Sequence, residues 1–75
     1  MIKLITLLNK LDLELNTAIA VYDMNFKEHP LFVGLLGQVT FEFLQRNVER
    51  IEFRTGTTIY KDEELFFEIK IVLHS

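Results

Sequence analysis

The side chains that could do chemistry in this 75-residue sequence are few: His29 and His74, the acidic run Asp62-Glu63-Glu64, and the arginines Arg46, Arg50 and Arg54, spaced by four. There is no Cys, and the only Ser is the last residue, Ser75. A thiol nucleophile, a disulfide frame and a Cys-ligated zinc site are therefore excluded, and an activated serine has no internal position to occupy. The two histidines lack the His-x3-His or Glu-x-x-His spacing that sets two ligands on one helix face, so no metal site is expected. His29 reads as a solvated residue before Pro30, with Asp23 and Glu28 nearby. A paired-carboxylate mechanism needs one carboxyl held neutral in a pocket. Asp62-Glu63-Glu64 reads instead as a solvated turn. Gly34-Leu35-Leu36-Gly37 has the GxxG spacing of a backbone-clamping loop, but two leucines between the glycines suit a bent strand end. The expectation is a protein with no catalytic residue and no cofactor.

Net charge is −3, with eight Lys plus Arg against eleven Asp plus Glu. That balance disfavours nonspecific nucleic-acid binding. Apolar residues make up 49% of the chain, which excludes a disordered tail and describes one small soluble domain over residues 1–75. A core of this size is marginal by itself. Nine aromatics, seven of them Phe, must supply much of the burial. Neither a signal peptide nor a run of ~20 apolar residues is visible, so a cytoplasmic location with no membrane association is expected.

The elements that would position these residues follow from apolar spacing. Leu4, Leu7, Leu8 and Leu11 make one helical stripe, predicting a helix at about 2–11. Asp12 to Asn16 is a connector. Residues 17–22 and 31–36 read as strands, with a loop between them closed by Pro30. Thr40 is a plausible N-cap for a short helix over 41–46, with Phe41, Phe43 and Leu44 as its packing residues. Leu65, Phe67, Ile69, Ile71 and Leu73 alternate without a break, which predicts a long strand. Ile51, Phe53 and Ile59 also fall on odd positions. Pairing odd with odd requires a three-residue loop at Asp62-Glu63-Glu64, placing Ile59 opposite Phe67 and Phe53 opposite Leu73. Gly56 is then a bulge in one long strand, or the chain turns at Arg54-Thr55-Gly56-Thr57 and makes two strands. The predicted order is α-β-β-α-β-β. It implies an α+β domain with an antiparallel sheet of three to five strands and both helices on one face.

On that arrangement the outer face of the last strand carries Phe66 and Val72 beside Glu68 and Lys70. Large apolar groups on a solvent face mark a partner surface or a contact between copies. Phe26, Phe32, Tyr22 and Tyr60 could extend it. Arg50 and Arg54 would form its polar rim, on the approach to the acidic loop Asp62, Glu63 and Glu64, which could itself bind a basic partner.

In its sequence of elements the chain is similar to the short accessory proteins of phages and prophages in low-GC Gram-positive bacteria. The likeness lies in the Leu-rich opening Lys3-Leu4-Ile5-Thr6-Leu7-Leu8-Asn9-Lys10-Leu11, the strand Ile19-Ala20-Val21-Tyr22-Asp23 ending at an acidic residue, the segment Phe32-Val33-Gly34, a short helix and a closing hairpin. It covers most of the chain and consists of apolar spacing. What it implies is a class: small non-catalytic proteins, some of which block host defence systems, CRISPR nucleases among them, by binding a host protein. The alternatives are a self-associating accessory protein or, third, a nucleic-acid binder using Arg46, Arg50 and Arg54.

Overall fold

A computed structural model describes residues 1–75. The elements in chain order are α1 (Leu4–Leu11), β1 (Ala18–Asp23), β2 (Phe32–Leu35), a 3-10 turn (Leu36–Gln38), α2 (Phe41–Leu44), β3 (Val48–Glu52), β4 (Gly56–Tyr60), β5 (Glu63–Phe67) and β6 (Ile69–Leu73). The α+β class holds, but the sheet is mixed rather than antiparallel. Its order is β2-β1-β6-β3, with β1 and β6 parallel and the other two pairs antiparallel. β4 and β5 form a separate two-stranded sheet.

Three layers result. β1 and β6 lie in the middle of the sheet, where a strand must be apolar on both faces. Ile19, Val21, Ile69, Ile71 and Leu73 join Leu4, Leu36 and Val48 in a core beneath the helices, with Leu7, Leu8, Phe43 and Leu44 packed against it. Ala20, Tyr22, Val33 and Val72 point the other way and are covered by the β4–β5 hairpin through Phe67, Leu65 and Tyr60. Both helices lie on one face, as expected. Phe41 does not pack with them: it is 72% exposed, because α2 is a single turn and turns only Phe43 and Leu44 toward the core.

The long predicted C-terminal strand is two strands in two layers. The chain bends at Glu68, and β6 stays in the sheet while β5 rises to lie over it. The alternation is unbroken because side-chain direction survives the step. Odd residues of β6 point down onto the helices, and odd residues of β5 point down onto the upper face of the sheet. Upstream, the break between β3 and β4 is real, so of the two readings of Gly56 the pair of strands is correct. Buried positions also change parity across Phe53–Thr55: Ile51 packs inward in β3, whereas Gly56, Thr58 and Tyr60 are the less exposed residues of β4.

That parity change overturns the expected hairpin register. Odd pairs with even: Tyr60 with Glu63, Ile59 with Glu64, Thr58 with Leu65, Thr57 with Phe66 and Gly56 with Phe67. Phe53 does not lie opposite Leu73, whose partner in β3 is Val48. The loop is two residues, Lys61 and Asp62, both at positive φ (52° and 66°). This is the left-handed pair of a type I′ turn, whose twist matches that of the strands. Gly56 has a packing reason. A Cβ there would lie 2.8 Å from Cζ of Phe67, whose ring covers the glycine from directly across the ladder.

Candidate functional site

The residues singled out from the sequence separate into three groups. Phe66, on the outward side of the hairpin, is 54% exposed and has exposed Ile59 on the same face. Val72 is not part of that surface, and its assignment as a partner-binding residue is corrected: it is 0% exposed. Phe66 and Val72 share parity but not a layer, so one points from the hairpin into solvent and the other from the sheet into the hairpin. Tyr60 is half-buried along the hairpin's inner side, with Lys61 Nζ 5.3 Å from its ring centre. Asp62, Glu63 and Glu64 are exposed at the hairpin tip, as expected of a solvated turn, although Glu63 and Glu64 belong to β5 rather than to the loop.

The arginines do not form one stripe. Arg46 donates to Asp23 Oδ2 at 2.7 Å and to the His74 carbonyl at 3.2 Å. This guanidinium, helped by the Asn25 N–H and the Ser75 hydroxyl, holds the Asp23 carboxyl below its usual range. Arg50 and Arg54 both converge on Glu52, each through Nε at 2.7 Å. Arg50 also reaches Glu49 at 3.0 Å. Arg50 lies opposite Val72 and Glu52 opposite Lys70, so these charges continue the upper face of the sheet along its β3 edge.

Hydrogen bonds from Arg50 and then Arg54 bring the Glu52 carboxyl down from 4.5 to about 2. A depressed carboxylate stabilises the fold fully above its unfolded value, and that contribution is lost as pH falls through the folded one. Stability is expected to fall between pH 4.5 and about 2 on this account. Urea midpoints across that window should drop more steeply for the wild type than for Glu52→Gln. Equal slopes would mean that the cluster is fully screened, since its members are partly solvated.

A second surface was not anticipated. A cavity of about 340 Å³ opens on the helical side of the molecule, between α1, the connector that follows it, the 3-10 turn and α2. Ile5 and Leu8 of α1, Leu13 and Leu15 of the connector, Leu36 and Leu44 line it. Leu15 is 72% exposed. Asp12 is the single charged residue in the lining, and it stands at the C-terminal end of α1, where unpaired carbonyls add negative potential. The connector is fixed rather than loose. Gly37 N–H donates to the Leu15 carbonyl and Leu36 N–H to the Thr17 carbonyl, both at 2.8 Å. A Cβ on Gly37 would come within 3.3 Å of that Leu15 carbonyl, so the GxxG spacing serves close packing. The signal available in the sequence was Leu11, Leu13 and Leu15, apolar residues continuing past the helix into a segment read only as a link.

His29 lies beside the Phe26 ring, 5.5 Å between centres. No group of three or more His, Asp or Glu side chains converges in a way that could hold a metal ion. No helix is long and apolar enough to cross a membrane. Compared with known protein families, with curated proteins and with solved structures, the chain matches none of them.

Proposed function

We propose that this chain is a non-catalytic protein-binding module whose groove takes an apolar segment of a partner protein with Lys or Arg beside it. The observation that carries this reading is the groove itself: a concave, leucine-lined surface with one carboxylate and a helix C-terminus at its edge. Its volume is in the range that accepts a ligand or a few anchoring side chains. Apolar anchors supply most of the energy at such contacts, and the negative edge selects a basic neighbour. In the setting implied by the likeness to phage accessory proteins, the partner is a host protein. The module then acts in the host cytoplasm by occupying that protein's surface, as an inhibitor of a defence nuclease would.

The test is capture of host proteins on the tagged chain, followed by inhibition of the captured activity, with Leu15→Glu as the control. Leu15 is exposed, so the substitution should leave the fold intact while weakening capture about fivefold or more, the effect of losing an anchor worth more than about 1 kcal/mol. Capture unaffected by Leu15→Glu would remove the groove from the contact. Turnover of a small substrate by the purified chain would overturn the reading altogether.

A further inference from the structure

A strand at the rim of a sheet presents unpaired backbone donors and acceptors, and proteins blunt such edges with charge, proline, a bulge or shortness. Three of the four rim strands here are blunted. β2 has four residues and follows shortly after Pro30. β3 carries Glu49, Arg50 and Glu52 and a register shift between Val48 and Arg50. β5 opens with Glu63-Glu64. β4 is Gly-Thr-Thr-Ile-Tyr, with no charge, no proline and no bulge. In a two-residue hairpin the residues flanking the turn exchange both backbone bonds, and bonded pairs then alternate along the ladder. Tyr60, Thr58 and Gly56 therefore bond to β5, while Thr57 and Ile59 direct their N–H and C=O groups outward. No turn or loop hydrogen bond reaches those groups, and both side chains are exposed.

We infer that β4 pairs antiparallel with β4 of a second copy of this chain, fusing the two hairpins into one sheet ordered β5-β4-β4-β5. A two-fold axis at Thr58 sets Thr57 of each copy opposite Ile59 of the other, so that every outward N–H and C=O of both residues is used. Sliding the strands by two residues either way loses one of the two bonded pairs. The arrangement is isologous, as a two-fold dimer requires, and it replaces a two-stranded ribbon, marginal by itself, with a four-stranded sheet. The inference is independent of the groove, which lies on the opposite, helical side of the main sheet and stays open in such a dimer.

Sedimentation equilibrium of the intact chain tests this. The expected mass is twice the 8.9 kDa of one chain. Thr57→Pro removes only an outward N–H, and edge positions of that kind tolerate proline. It should give a monomer with an unchanged far-ultraviolet circular dichroism spectrum. If that variant loses its spectrum, Ile59→Lys places a charge on the same edge and is decisive in its stead. A wild-type monomer at every concentration overturns the inference, even if the edge proves to be taken by a strand of another protein. A dimer that survives both Thr57→Pro and Ile59→Lys overturns it too, since its contact must then lie elsewhere.

Discussion

Phe67→Ala is expected to destabilise the fold by about 3–5 kcal/mol, while Phe66→Ala, one position away, should stay within about 0.5 kcal/mol of wild type. The two residues are identical in type and adjacent in one strand, so intrinsic propensity cancels from the comparison. Phe67 is buried, lies directly opposite Gly56 with its ring over the glycine, and closes the layer above Ala20, Tyr22, Val33 and Val72. Truncation would leave a cavity between the sheet and the hairpin, and Gly56 has no side chain with which to fill it. Beyond the ladder bonds of β4 and β5, the hairpin is held by little else: the Tyr22 hydroxyl donating to Thr58 Oγ1 at 2.9 Å, with Tyr60 and Leu65 packed around the same cluster. A loss of this size is a large share of the stability of a small domain. Urea denaturation followed by circular dichroism measures both variants. Equal losses for the two would contradict the two-layer arrangement.

That pair of residues also shows what was legible in the sequence. The period-2 pattern from Leu65 to Leu73 correctly assigned extended backbone and correctly gave the direction of each side chain. It could not show that the chain changes layer at Glu68, because a strand that steps from one sheet onto the top of another keeps the same alternation. For that reason Val72 read as a surface residue although the hairpin buries it, whereas Phe66 was placed on the surface correctly. The type I′ turn was hidden for a different reason. Its usual marks are glycine or asparagine at the left-handed positions, and here Lys61 and Asp62 occupy them. The helices were easier: α1 announces itself through Leu4, Leu7, Leu8 and Leu11, a purely local periodicity. The parallel pairing of β1 with β6 was not legible, since residues some fifty positions apart carry no local sign of their partnership. The groove is of the same kind, assembled from α1, its connector, the 3-10 turn and α2.

Leu4→Ala is expected to cost about 2–5 kcal/mol and to abolish partner capture along with it. Leu4 is the one residue of α1 that is fully buried, reaching into the core formed by Ile19, Val21, Ile71 and Leu73. Its backbone N–H donates to the Arg46 carbonyl at 2.9 Å, so the start of α1 is tied to the segment between α2 and β3. An eight-residue helix is not stable in water by itself, and α1 has no side-chain cap at its N-terminus. Packing is therefore what keeps the helix in place, with Leu4 as its only fully buried side chain and Leu7 and Leu8 beside it. Ile5 and Leu8 form one wall of the groove, so loosening α1 removes the groove even where the sheet persists. Amide hydrogen exchange separates local from global failure. The expected result is loss of protection over residues 4–11 at a temperature where β1 and β6 remain protected, accompanied by loss of capture. Leu7→Ala, at a residue packed against the core without being fully buried, should cost less and retain capture. If Leu4→Ala left α1 protected and capture intact, helix anchoring and the groove would both have to be assigned to other residues.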